Sequence, residues 1–126
     1  MRAVETNVLV RLITRDQPKQ VASAEEFVAK GAWVSLLALA EATWVLSAVY
    51  ERRAEDIANA LDMLLAHRHL TLQDPDVVSA ALTHFRKKPT LGFSECLLVE
   101  IARKAGHLPL GTFDRDLGKI GGTERV

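Results

Sequence analysis

The chain has 126 residues, the size of one ordinary domain, and its 16 Lys and Arg balance 16 Asp and Glu at a formal net charge of zero. A neutral chain attracts phosphate only through a local patch, which excludes the strongly basic class of nucleic-acid binders. One cysteine, Cys96, excludes an internal disulfide framework and fits a reducing compartment such as the cytoplasm.

Glu5 and Arg11 break the early apolar stretch, so no secretory leader is expected. No apolar run reaches the length of a membrane span. The opening, Arg2 to Val10, reads as a short strand ending at Glu5, with Thr6 and Asn7 behind it. A carboxylate there stands where a strand hands over to a helix, the edge at which open α/β sheets bind ligands. Val8 to Arg15 continues as a short helix. Asp16-Gln17-Pro18 starts another, with Val21, Ala24, Phe27 and Val28 at helical spacing and Gly31 as its stop.

Ala32 to Ser35 is a brief strand. Leu37 to Tyr50 is a helix apolar almost all round, which predicts a central, buried position. Ala54 to His67 is amphipathic, and Leu70 to Leu72 is a strand. Asp74-Pro75 opens a helix carrying Val77, Val78, Ala81, Leu82 and Phe85, closed by Pro89. Phe93 to Ala105 is the last long helix, with Phe93, Leu97, Leu98, Ile101 and Ala105 on its apolar face and Gly106 as stop. Leu108 to Phe113 is a strand, and the tail holds a turn and a last strand ending at Val126. Strands alternating with helices predict an α/β fold with a parallel sheet, in one domain over residues 1–126.

Cys96 lies in an apolar run without a catalytic signature and reads as a small buried hydrophobe. The four histidines lack ligand spacing and read as exposed or capping. Four carboxylates stand out: Glu5 at the first strand, Glu41 on the apolar helix, Glu95 in the first turn of the last long helix, and Asp114 after the fourth strand. Singly, each has a plain explanation as a cap, a turn residue or half of an ion pair. Glu41 resists this most, because an ion on an apolar helix is costly unless paired or metal-bound.

As an ordered set, Glu5-Thr6-Asn7, Glu41, Phe93-Ser94-Glu95 and Thr112-Phe113-Asp114 resemble the PIN-domain nucleases over nearly the whole chain, and most closely the VapC type, toxins of bacterial toxin–antitoxin pairs. The resemblance implies a three-layer sandwich with a central, mostly parallel sheet of four to five strands flanked by helices. It implies that Glu5, Glu41, Glu95 and Asp114 converge to bind Mg²⁺ or Mn²⁺ and cut RNA. Crowded carboxylates stay ionised only beside a cation, and Mg²⁺ favours such oxygen ligands. Asn7 and Thr112 are then orienting donors, Asp116 an outer ligand or an exposed turn acid, and Arg115 and Arg11 the candidate RNA contacts. A homodimer and a small antitoxin protein are the implied partners.

Glu5 and Glu95 stand where the family usually has Asp. Each extra methylene moves its carboxylate out by roughly 1–1.5 Å, and about 1 Å of misplacement can cost on the order of a hundredfold in rate. The alternative reading is therefore a catalytically weak or silent PIN fold that serves as a binding module. A phosphoacceptor receiver domain ranks lower, because Leu110-Gly111-Thr112-Phe113-Asp114 offers no lysine on the late strand.

Overall fold

A computed structural model describes all residues, Met1–Val126. In chain order the elements are β1 (Arg2–Ala3), α1 (Thr6–Thr14), α2 (Pro18–Val28), β2 (Ala32–Val34), α3 (Leu36–Ala48), α4 (Ala54–Ala66), β3 (Leu70–Leu72), α5 (Pro75–Lys87), α6 (Phe93–Ala105), β4 (Leu110–Thr112), a 3-10 turn (Leu117–Lys119) and β5 (Thr123–Arg125). The chain divides into two compact units, Met1–Pro75 and Asp76–Val126. No helix is long and apolar enough to cross a membrane.

The first unit holds a three-stranded parallel sheet in the order β1-β2-β3. Arg2 pairs with Ala32 and Ala32 with Leu70, so the three strands run level. Their carboxyl ends therefore deliver Glu5, Ser35 and Gln73 to one edge. Ser35 caps α3 by accepting from Ala38 N–H at 3.0 Å, and the Gln73 side chain accepts from Leu36 N–H at 2.9 Å. Two orphan donors of α3 are thus satisfied from two strand ends, which fixes where that helix begins. Leu9, Val10, Val28, Val34, Leu39, Leu46, Leu61 and Leu64 are almost completely buried and form this unit's core.

The second unit holds α5, α6 and a two-stranded parallel ladder of β4 and β5. Val77, Val78, Ala81, Leu82 and Phe85 are buried on α5, and Phe85 meets Phe93 edge to face with ring centroids 6.1 Å apart. Gly106 closes α6 at φ 81°, a left-handed conformation natural to glycine.

The α/β architecture and its parallel strands match the sequence reading; the five strands are hydrogen-bonded as three and two. Five elements differ in detail. The first strand is shorter than expected, α1 starts at Thr6 rather than Val8, and Glu5 is its N-cap residue. The strand expected over Leu108 to Phe113 contracts to Leu110–Thr112. Helix α3 is not buried all round: Leu37 is 69 % exposed and Trp44 67 %, because the sheet and neighbouring helices cover only the Leu39, Ala42 and Leu46 side. On α6 the buried residues are Phe93, Cys96, Leu97, Val99 and Glu100, while Leu98 and Ile101 are exposed.

Candidate active site

Glu5 lies between β1 and α1 in an extended conformation, φ −91° and ψ 172°, and its side chain makes no capping hydrogen bond. Its exposed carboxylate stands at the positive end of α1. Glu41 is on the first half of α3 and is exposed, so the burial cost expected from its apolar neighbours does not arise. The Thr6 hydroxyl donates to Glu41 Oε2 at 3.1 Å and ties α1 to α3. Glu5 and Glu41 line one cleft of about 440 Å³, together with Thr6, Asn7, Ser35 and Leu37. The cleft opens at the carboxyl ends of β1 and β2, where the level register puts Glu5 beside Ser35.

Two carboxylates, a carboxamide and two hydroxyls are hard oxygen donors. Such a set fits a magnesium-like cation, which is often held by one or two carboxylates and keeps several waters. Within either unit, no three His, Cys, Asp or Glu side chains gather as a ligand set.

Glu95 and Asp114 belong to the second unit, and both carboxylates serve their own backbone. Gly92 N–H donates to Glu95 Oε2 at 2.7 Å, closing the start of α6 in the manner of a capping box. Leu117 N–H donates to Asp114 Oδ1 at 2.7 Å and begins the 3-10 turn. Thr112, expected to orient a carboxylate, instead accepts the backbone N–H of Asp114 at 3.0 Å. Asp116 binds Lys88 at 3.0 Å and faces Lys119 at 3.8 Å. The Lys88 hydrogen bond and charge hold the Asp116 carboxyl below its ordinary range.

The two candidate RNA cations differ in the same way. Arg11 donates to Tyr50 Oη at 2.8 Å and to Asp16 Oδ1 at 3.3 Å, and also to Gln20, so its guanidinium is engaged. Arg115 is exposed. Cys96 is fully buried, and burial, then the charges of Glu95 and Glu100, push its thiol up to about 11, which suits a packing role.

Sequence reasoning missed three groups. Thr6 and Ser35 join the cleft, and their signal was position, directly after strand ends. Glu100 is buried at 7 % exposure and is held by His84 at 3.0 Å and Arg103 at 3.2 Å. Its signal was spacing, since Phe93, Cys96, Leu97 and Glu100 share a helical face. His84 is therefore a paired residue, not an exposed or capping one.

A family model described as PIN domain matches residues 3–122, nearly the whole chain and both units. No curated protein and no solved structure matches it.

Proposed function

The chain belongs to the PIN domain family, a nuclease fold, and on that premise we propose that it is a metal-dependent endoribonuclease that acts as the VapC-type toxin of a bacterial toxin–antitoxin pair. The observation that carries the reading is the cleft shared by Glu5 and Glu41 at the carboxyl edge of a parallel sheet. The family match, residues 3–122, also spans Glu95 and Asp114, so each is a candidate for a further acid of the reaction.

The chain's own residues prepare that chemistry. Thr6 fixes one oxygen of Glu41, leaving the other for a ligand. Ser35 and Gln73 pin the start of α3 and hence the position of Glu41 one and a half turns along. Glu5 keeps its carboxylate out of the α1 cap and open to the cleft. A divalent cation, Mg²⁺ or Mn²⁺, when bound, would hold these acids ionised and stabilise negative charge on the transferring phosphoryl group. The exposed Leu37 and Trp44 on α3 and Met63 on α4 support an apolar partner surface for a second copy or an antitoxin helix. One buried thiol suits action in the reducing cytoplasm.

A second reading, a PIN fold that binds RNA without cutting it, is favoured by one observation: the Glu95 carboxylate is occupied by Gly92 N–H. The deciding experiment is incubation of purified protein with total RNA in Mg²⁺, in Mn²⁺ and in EDTA, with cleavage ends mapped. Metal-dependent cuts that vanish in Glu41→Gln support the enzyme. Cuts that persist in that variant refute the assignment of the site.

A further inference from the structure

The acid cleft does not stand alone. Glu5 and Asn7 also line a second cleft of about 430 Å³, whose far wall includes Arg11, Gln20, Ser23 and Phe27. Ser23 and Phe27 in turn line a third, of about 320 Å³, bounded by Arg2, Glu26 and Lys30. Shared walls thus link three small-ligand-sized hollows into one trough within the first unit. The α2 side of it follows helical spacing, because Gln20, Ser23 and Phe27 recur at three- and four-residue steps, and Lys30 stands in the turn just past the helix.

The two ends of the trough differ in chemistry. Acids gather at one end. Neutral amides and a hydroxyl, from Asn7, Gln20 and Ser23, line the middle together with Arg11, whose charge is paired with Asp16. At the other end the Arg2 guanidinium lies 3.8 Å from the centre of the Phe27 ring and donates to the Phe27 carbonyl at 3.3 Å. Exposed Lys30 stands beside them, and Glu26 is the one carboxylate at that end.

We propose that this trough carries single-stranded RNA, with the scissile phosphate at the Glu5–Glu41 cleft and the flanking nucleotides running over Asn7 to Phe27, Arg2 and Lys30. The proposal rests on the nuclease reading and adds the path of its substrate. Single strands are held by aromatic or guanidinium stacking platforms next to cations that track the backbone. The Phe27–Arg2 pair supplies the platform and Lys30 the cation. Amides and hydroxyls between the two ends can pair with unstacked base edges, whereas a docking peptide helix would need a continuous apolar stripe. The neutral net charge of the chain makes such a local cationic end necessary for any sizeable affinity.

The test is fluorescence anisotropy of a labelled single-stranded oligoribonucleotide in EDTA, over a salt series, with cleavage in Mn²⁺ followed separately. Lys30→Glu should weaken binding about tenfold and lower the salt slope by at least about 0.7, the loss of one phosphate contact. Phe27→Leu keeps apolar bulk and should weaken binding about fivefold through lost stacking. Glu26→Lys should tighten binding, a gain that misfolding cannot mimic. Arg53→Glu, which lines none of the three hollows, should leave affinity near wild type. Wild-type affinity and slope in both Lys30→Glu and Glu26→Lys would overturn the path while leaving a cutting enzyme intact. Stronger competition by duplex than by single strand would overturn it as well. If the variants shift binding as expected but no metal supports cutting, the path stands and the nuclease reading fails.

Discussion

Shortening Glu95 to Asp separates a structural role from a catalytic one. The Glu95 carboxylate accepts from Gly92 N–H at 2.7 Å. One methylene less withdraws it by roughly 1–1.5 Å, to about 4 Å, where no hydrogen bond remains. A lost cap typically costs about 0.5–2 kcal/mol, and Asp in the first turn still complements the helix dipole, so about 0.5–1 kcal/mol is expected. Unfolding entropy of about 2.1 cal/mol/K per residue over 126 residues converts 1 kcal/mol into about 4 °C, giving a melting point lower by about 2–4 °C. Glu95→Gln makes the opposite change. Its amide oxygen still reaches Gly92 N–H, so melting should stay within about 1 °C, but the charge is gone. If Glu95 also serves the metal site, the Asp variant should cut RNA faster and the Gln variant should barely cut. Circular dichroism melts and cleavage rates at matched metal and RNA concentrations read the two roles independently. An Asp variant as stable as wild type refutes the capping argument. A Gln variant as active as wild type refutes the ligand role.

Glu5→Asp can cap α1 through one carboxylate oxygen in the extended N-cap geometry that Glu5 leaves unused, with the other oxygen open to the cleft, so melting in EDTA should rise by about 2–4 °C. Combined with Glu95→Asp it should speed cleavage at least about tenfold, a barrier change of about 1.4 kcal/mol; equal rates would show that the present chain accommodates the longer acids. Asp114→Asn keeps an acceptor for Leu117 N–H, and Glu41→Gln keeps one for the Thr6 hydroxyl, so both should fold normally and lose cleavage; an active, folded Asp114→Asn removes that residue from the site. His67 Nδ1 accepts His69 N–H at 3.1 Å, and burial, then the His69 charge, lower its pKa. The folded state therefore binds fewer protons, so this contribution is full above about pH 6.5 and is lost as pH falls through the folded value. His67→Asn keeps an acceptor without titrating and should flatten that slope in urea unfolding from about pH 7.5 to 5; an unchanged slope would assign it to other groups.

Element order was legible because it rests on strong local signals. Asp74-Pro75, Gly106 and the Val77 to Phe85 spacing bound and orient their helices without help from the rest of the chain. Burial on α3 was not legible. With apolar residues on every side, periodicity carries no phase, and only packing decides that Leu39, Ala42 and Leu46 turn inward while Leu37 and Trp44 face out. On α6 the phase was misread for a related reason. Leu98 and Ile101 looked like core by hydropathy, yet the helix turns Glu100 inward, where His84 and Arg103 offset the cost of burying its charge. A pairing across 16 residues leaves no local trace.

The four acids show where sequence reading of the site stops. Glu5 is an N-cap residue, Glu95 sits in a first helical turn, and Asp114 begins a 3-10 turn. A carboxylate at a helix start is favoured by free N–H groups and the dipole whether or not a metal ever binds. For Glu5 after β1 and Asp114 after β4 the same placement also follows the carboxyl end of a parallel strand, where ligands bind. One sequence position thus serves two purposes, and spacing cannot separate them. Side-chain bonding can. Glu95 and Asp114 accept from their own backbone, so ligation by either must compete with a hydrogen bond already made. Glu5 makes no such bond, and Glu41 is held at one oxygen by a hydroxyl and lines the cleft. A metal ion would therefore meet Glu5 and Glu41 as ready ligands, and its affinity should depend first on these two.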